Sequence, residues 1–346
     1  MATNLTNEGL SESEPQAAPG QILRRGIRTN EFALLMVLLL GCFLVTLKNP
    51  HFLAKSNIGT LGRDIAMIGI MAVGETFVIL LGGIDLSVGS IYGLSGVLVA
   101  FFCVVPYPEQ QIATLGLPTP IAILITMAIC VLIGVVHGLF VSKFKMHGFL
   151  ITLVTLGLAR GVAIAITTGY PITGIPSDLQ AFTQGSLLGI PIPFIVFVVV
   201  AVIAIVLTRF TYIGRHIYAV GGNAEAARLS GIRVDRRIIL CYAISTFCAA
   251  IVGIIGAGRL TEGHPSAGDG TELTAIAACV LGGISLMGGQ GSIMGAFIGA
   301  MIIGVLSNAM IILEVSPYWQ QVVLGIVLLI AITFDMWRRR RRAATL

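Results

Sequence analysis

Arg209 to Arg237, RFTYIGRHIYAVGGNAEAARLSGIRVDRR, is the longest polar and strongly basic interruption in an otherwise very apolar chain. Within it Glu225-Ala226-Ala227 is followed by Gly231. Gly221 and Gly222 allow a sharp turn. Asn223 is a good N-cap, and Glu225 then falls in the first helical turn, where the dipole favours a carboxylate by ~0.3–1 kcal/mol. Ala226 and Ala227 favour helix with almost no bulk, and Gly231 suits a C′ position. The expectation is a short helix of roughly two turns outside the membrane, smooth enough to lie in a groove on another protein. Isolated helices need ~12–15 residues in water, so something must hold it. The plain alternative is a capped surface helix that only links two spans.

The surroundings set the fold class. Of 346 residues 56% are hydrophobic and 11% charged, and the mean hydropathy is +0.97. No soluble domain hides that much apolar surface, so the chain reads as an all-α integral membrane protein of about ten transmembrane helices. Six cysteines lie mostly inside apolar runs without a C-x-x-C pair, as small core residues do, and no metal site is expected. The pI near 9.0 reflects membrane-flanking Lys and Arg, not nucleic-acid binding. Residues 1–30 read as a disordered polar tail, residues 31–336 as the membrane domain, and residues 337–346 as a basic tail. The first long apolar run begins near Phe32 and has no small-residue cleavage site, so no removable leader is expected.

Apolar runs place spans at about Phe32–Leu47, Asp64–Leu81, Asp85–Pro106, Ile121–Val141, Phe149–Thr168 and Phe194–Leu207. After the basic interruption come Ile238–Gly258, capped by Asp235, then Leu273–Leu286, Ile293–Leu313 and Tyr318–Met336. Several are shorter than the ~20 residues a straight crossing needs. With an internal N-terminus one side collects sixteen of the 21 basic residues: Arg24, Arg25 and Arg28, Lys143 and Lys145, the six arginines of 209–237, and Arg338 to Arg342. The positive-inside bias then puts both termini and the Glu225 helix in the cytoplasm.

The most specific run is Gly74-Glu75-Thr76-Phe77-Val78-Ile79-Leu80-Leu81-Gly82-Gly83-Ile84-Asp85-Leu86-Ser87-Val88-Gly89-Ser90. Two glycines break the second span and Asp85 is placed to cap the third. The run resembles the signature of the permease subunit of ribose-type sugar ABC importers. The likeness continues at Gly214-Arg215, at Ile217-Tyr218-Ala219 and at Gly221-Gly222-Asn223, through Ala227-Arg228-Leu229-Ser230-Gly231, and at Leu281-Gly282-Gly283. It spans roughly residues 32–336. The resemblance implies a bacterial inner-membrane permease paired with a second copy or a sister permease. It also implies a periplasmic sugar-binding protein and a cytoplasmic ABC ATPase that holds the Mg-ATP, with no cofactor in this chain. The Glu225 helix would then be the ATPase-coupling element, with Gly221, Gly222, Asn223, Glu225, Ala226, Ala227, Arg228 and Gly231 as its residues. Independently, no G-x-x-x-x-G-K-[ST] occurs, so a P-loop motor must be another protein. Arg228 and Arg215 are then available to acidic groups of that partner.

Glu75, in mid-span, departs from the family pattern, which has an uncharged residue there. A carboxylate at such a position costs ~2.5–3.5 kcal/mol on insertion scales. Arg160 is the other charge inside a span. Heights of ~10 Å and ~16 Å above the inner edge allow the two to pair beside a pathway, against the alternative that each meets water or carbonyls. Asp85, Ser87 and Asn308 join them as pathway candidates, with helix–helix hydrogen bonding as the alternative for Asn308. Gly169–Ile172 and His264–Gly268 read as preformed outer turns facing the binding protein. Gly282 to Gly304 reads as a close-packed helix interface, and Gly282-Gly283-Ile284-Ser285-Leu286 echoes Gly82-Gly83-Ile84-Asp85-Leu86. Competing functions are a nucleoside or branched-chain amino-acid permease and an ion-coupled carrier, which would use Glu75 and Arg160 as coupling groups. An intramembrane enzyme finds no supporting constellation.

Overall fold

The computed structural model describes residues 19–106 and 112–343. It is almost wholly helical. Helix α1 (Pro19–Lys48) runs to a 3₁₀ turn at Pro50–Leu53, where the Asn49 side chain accepts the His51 N–H. Helix α2 (Lys55–Leu80) follows, then α3 (Val88–Cys103), α4 (Thr119–Lys143) and α5 (Gly148–Thr167). Strand β1 (Ile172–Thr173), helix α6 (Ser177–Gln184), and strands β2 (Ser186–Leu187) and β3 (Ile190–Pro191) cap one end before α7 (Ile192–Phe210). At the opposite, basic end α8 (Tyr212–Gly222) and α9 (Ala224–Leu229) connect to α10 (Val234–Leu260). Strand β4 (Glu262–Gly263), α11 (Thr271–Leu281), α12 (Ile293–Ile312) and α13 (Pro317–Ala343) complete the fold.

Among the described residues six helices, in α1, α4, α5, α7, α10 and α12, are long and apolar enough to cross a membrane. The chain is therefore a multi-pass membrane protein. With α2, α3, α11 and α13 beside them, the bundle holds about the ten helices that the apolar runs predict. Helix α2 is its axis. From Ile65 to Leu80 it is buried at all but one position, because α7, α10, α11 and α12 surround it. Small residues let these helices close up. Phe197 of α7 lies on Gly69, in line with its stacked partner Phe297 at 4.6 Å. Gly134 and Gly138 of α4 meet the α10 backbone, where a methyl group would collide. Gly295 and Gly299 of α12 meet Gly282 and Ala278, and Gly304 meets Ile65, so the glycine run at 282–304 is an interface within the bundle.

Several boundaries differ from the hydropathy reading. Helix α2 begins at Lys55, ahead of Asp64, since polar residues at one end of an axial helix are still helical. Helix α1 reaches back to Pro19, into the stretch read as a disordered tail, whose residues 1–18 lie outside the described residues. The basic tail continues α13 to Ala343. The eighth span shrinks to the 11 residues of α11, ~16 Å long and unable to cross a ~30 Å core alone. Likewise α3 starts at Val88, not at Asp85. The segments ahead of these two short helices, Gly82–Ser87 and Gly263–Gly270, re-enter the bundle from opposite ends.

The paired glycines end α2 and α11 alike but out of register. Gly82, first of its pair, has φ +81°; Gly283, second of its pair, has φ +77°. Each follows the helix as a left-handed residue whose N–H reaches back three residues, to Ile79 O and Val280 O. The sequence echo is thus offset by one residue, and the chains diverge afterwards.

Candidate functional site

At the basic end α8 is seated on the bundle and α9 projects from it. Thr211 caps α8, its Oγ1 accepting the Ile213 and Gly214 N–H groups. Tyr218 donates its O–H to Gly291 O at 2.9 Å; burial pushes this phenol up to about 12, so the donor is retained. Gly221 and Gly222 do not make the turn. Both belong to right-handed α8, and the chain breaks at Asn223, with φ −161°. Position 221 needs glycine for space: a Cβ there would strike Leu80 O, which also accepts the Gly289 N–H at 2.8 Å. The end of α2, helix α8 and the loop after α11 therefore meet backbone to backbone.

The Asn223 side chain accepts the Ala226 N–H at 2.9 Å, as the cap reading requires. After α9, Gly231 takes φ +82°, its N–H reaching Arg228 O while the Ile232 N–H reaches Ala227 O, both at 3.0 Å. Ala227 is buried with Val220 and Val234. This packing holds a six-residue helix that is too short to persist alone. Asp235 is not the cap of α10. It stands in the first turn, 3.1 Å from Lys143 and 3.5 Å from Arg228, tying α9 to α4. Arg228 thus has an acid of its own chain beside it, in an exposed cluster where each pair contributes ~0–1 kcal/mol. Glu225, Ala226 and Arg215 are exposed, and Leu229 is 85% exposed.

Above this foot lies a buried polar knot. Glu75 Oε1 accepts the Asp85 N–H at 3.0 Å. Asp85 Oδ1 accepts the N–H and O–H of Ser87, and its Oδ2 accepts the Ser245 O–H at 2.8 Å. All four residues are buried. Asp85 therefore organises the turn before α3 and does not cap it; Ser87 holds the cap position. Thr152 of α5 donates to Ile84 O, and the Tyr242 hydroxyl lies against Gly83 and Gly148. His137, edge-on to Tyr242, shares a 2.8 Å hydrogen bond with Thr155.

Arg160 does not pair with Glu75. Its Nη1 donates to Pro265 O at 2.6 Å and to Ala267 O at 2.8 Å, above Gly93 of α3. The turning segment frees carbonyls beside Arg160, whereas Glu75 lies nearer the basic end. The segment His264–Gly268 is accordingly not an outer loop. It starts at the β1–β4 ladder, where Ile172 pairs Gly263, and descends along α3 until Gly268 touches Gly89 and Tyr92. Asn308 exchanges two hydrogen bonds with Asn57, at 3.0 and 2.9 Å, and so clamps α12 to α2.

The sequence profile of the family described as "Branched-chain amino acid transport system / permease component" matches residues 57–332. The chain belongs to this permease family. Among its relatives are two ribose import permease proteins. One, from Bacillus subtilis, is 44% identical over 86% of this permease and 91% of its own length. The other, from Haemophilus influenzae, is 40% identical over 91% and 95%. The D-allose transport system permease protein of Escherichia coli is 36% identical over 84% and 86%. No solved structure matches.

Motif reading of the permease located its foot, its glycine breaks and the Asp85 turn. It missed Ser245, Tyr242 and Gly289, whose roles depend on neighbours distant in sequence. It also missed the depth of Gly263–Gly270. One signal was present: Asp269 and Glu272 stand before an apolar run too short to cross a membrane.

Proposed function

We propose that this chain is the membrane-spanning subunit of an ATP-driven monosaccharide importer in a bacterial inner membrane, its basic end in the cytoplasm. Two permeases, identical or sister chains, form the translocation unit; a periplasmic binding protein delivers the sugar and a separate ABC ATPase supplies the energy. The observation that carries this reading is α9. It is capped by Asn223, closed at Gly231, anchored through Ala227, and presents Glu225, Ala226 and Leu229 outward on the most basic face. A helix so short and so fixed, with an exposed leucine, suits a groove on a cytoplasmic motor. Beneath it, Gly221 touches the end of α2, so a push on α8 and α9 is delivered to the axial helix.

The relatives named for ribose and allose favour a pentose or hexose cargo. The family description favours branched-chain amino acids as the second reading. The test is uptake into proteoliposomes holding the permease, its ATPase and its binding protein. ATP-dependent uptake of a labelled pentose or hexose, without leucine uptake, is expected. Ala226→Arg on the exposed face of α9 should abolish uptake at an unchanged melting temperature. Sugar accumulation by the permease alone, driven by an ion gradient, would overturn the reading.

A further inference from the structure

The segment Gly263–Gly270 lies too deep and too open for a loop. Gly263 packs on Gly96 and Val97 of α3, Pro265 O and Ala267 O reach Gly93, and Gly268 reaches Gly89. At 1.5 Å per helical residue, Gly93 stands ~15 Å and Gly89 ~21 Å from the Cys103 end of α3. In a ~30 Å hydrocarbon core that is near mid-depth. Yet Ser266, Asp269 and Gly270 are exposed, and His264, Thr271 and Glu272 are half-exposed. Non-helical backbone and a carboxylate at this depth do not face lipid; they line water or are covered by protein. On the adjoining helix α5, Gly157 and Gly161 are exposed with no atom near the position of a side chain, which leaves room beside the turn.

The chemistry of the turn is specific. Arg160 fixes the backbone through Nη1, its other N–H groups make no hydrogen bond among the described residues, and the Glu272 carboxylate lies within its electrostatic reach. Asp269 offers an exposed carboxylate and Ser266 a hydroxyl, while the Glu272 carboxylate packs against Gly89, accepts backbone N–H groups at the start of α11, and keeps its remaining lone pairs for a ligand. Acceptors and donors on one turn suit the hydroxyls of a neutral polyol, whose many O–H groups both give and accept hydrogen bonds. Two carboxylates repel an anionic cargo such as a sugar phosphate.

We propose that the re-entrant turn held by Arg160 is the station at which a neutral monosaccharide is bound halfway across the membrane, with Asp269, Glu272 and Ser266 as its sugar contacts. The inference rests on the monosaccharide-importer reading and deepens it. Arg160 is a positioning residue for the turn, and its N–H groups that do not bond the turn complete the donor set.

Two measurements on the reconstituted transporter test this. First, Ser266→Cys should react with a membrane-impermeant, water-soluble maleimide at least tenfold faster than Leu124→Cys, which is exposed on α4. The background is low because five of the six native cysteines are buried. Failure of Ser266→Cys to react overturns the proposal, since the turn is then covered by lipid or by a partner. Second, Asp269→Asn and, separately, Glu272→Gln should each cut sugar uptake about tenfold or change the preference among pentoses and hexoses, with melting temperature as the folding control. Wild-type uptake and selectivity in both variants overturn the proposal even if the cysteine reacts. Uptake of leucine and of no sugar by the wild-type transporter would instead defeat the importer reading, and would do so whatever the maleimide result.

Discussion

Two turns break the helical bundle, and they are built in opposite ways. The turn at Gly82–Ser87 enters from the basic end and is sealed. Asp85 and Ser87 are completely buried, and the turn is held by side chains from three helices: Glu75 on α2, Ser245 on α10 and Thr152 on α5. The turn at Gly263–Gly270 enters from the far end and is open. One half-buried cation grips its carbonyls, and its own acidic side chain at Asp269 is exposed. Polar groups sealed in a low-dielectric core are expensive unless paired, and once paired they rigidify. Both Asp85 carboxylate oxygens are paired here, while Glu75 Oε2 has no partner among the described residues. The sealed turn thus suits a fixed joint above the foot. The open turn keeps polar groups unpaired at depth, which is tolerable only beside water or a polar ligand. Helix α5 touches both, through Thr152 and Arg160.

The comparison breaks most severely at Asp85. Asp85→Ala removes the acceptor for the Ser87 N–H, the Ser87 O–H and the Ser245 O–H at once. Each buried donor left unpaired costs ~1–3 kcal/mol, so a loss of several kcal/mol is expected. A melting curve of the purified permease in detergent should show a large fall in melting temperature, or the variant should fail to accumulate as folded protein. Asp85→Asn, which keeps two acceptor sites on one oxygen, should recover part of it. If Asp85→Ala melts like the wild type, the turn is not sealed in the way described.

Arg160 comes next. Arg160→Met keeps the length and loses the donors, leaving Pro265 O and Ala267 O unpaired. Because the open turn reaches water, those carbonyls can be solvated, and the expected cost is only ~1 kcal/mol in stability. Uptake should fall much further than stability, since the turn no longer has a fixed position. Arg160→Lys should restore one carbonyl bond and intermediate uptake. Equal losses of stability for Arg160→Met and Asp85→Ala would erase the distinction between the turns.

How much of this was legible in the sequence follows from what each feature depends on. The long spans are legible because an apolar run of sufficient length has few other uses. The foot is legible because Asn223 and Gly231 act on residues two to four positions away, within α9 itself. Gly221 was misread because a glycine required for left-handed backbone and one required for space look alike. Only the Leu80 carbonyl, far off in sequence, tells them apart. The depth of His264–Gly268 was hidden for a related reason. Pro and Gly mark a turn but not where it sits, and the groove that admits it is made by Gly89 and Gly93 on α3. Pairing Glu75 with Arg160 rested on height alone, which ignores that a re-entrant backbone supplies nearer acceptors.

The smallest expected effect is that of Glu75→Gln, and it sharpens the sealed turn. Glu75 contributes one bond, from Asp85 N–H to Oε1, while its Oε2 is buried with no hydrogen-bond partner among the described residues. Glu75→Gln keeps the accepting oxygen and removes one of the two carboxyl groups that share the turn. It should change stability by less than about 1 kcal/mol and leave uptake close to wild type. Glu75→Met removes the acceptor, orphans the Asp85 N–H, and should cost ~1–3 kcal/mol. Measured together, the two variants separate a hydrogen-bonding role from a role for the charge. A Glu75→Gln variant that folds like the wild type but no longer transports would mean that the carboxylate itself takes part in the cycle. The sealed turn would then be a titrating element and not a joint, and the ion-coupled alternative would gain its missing group.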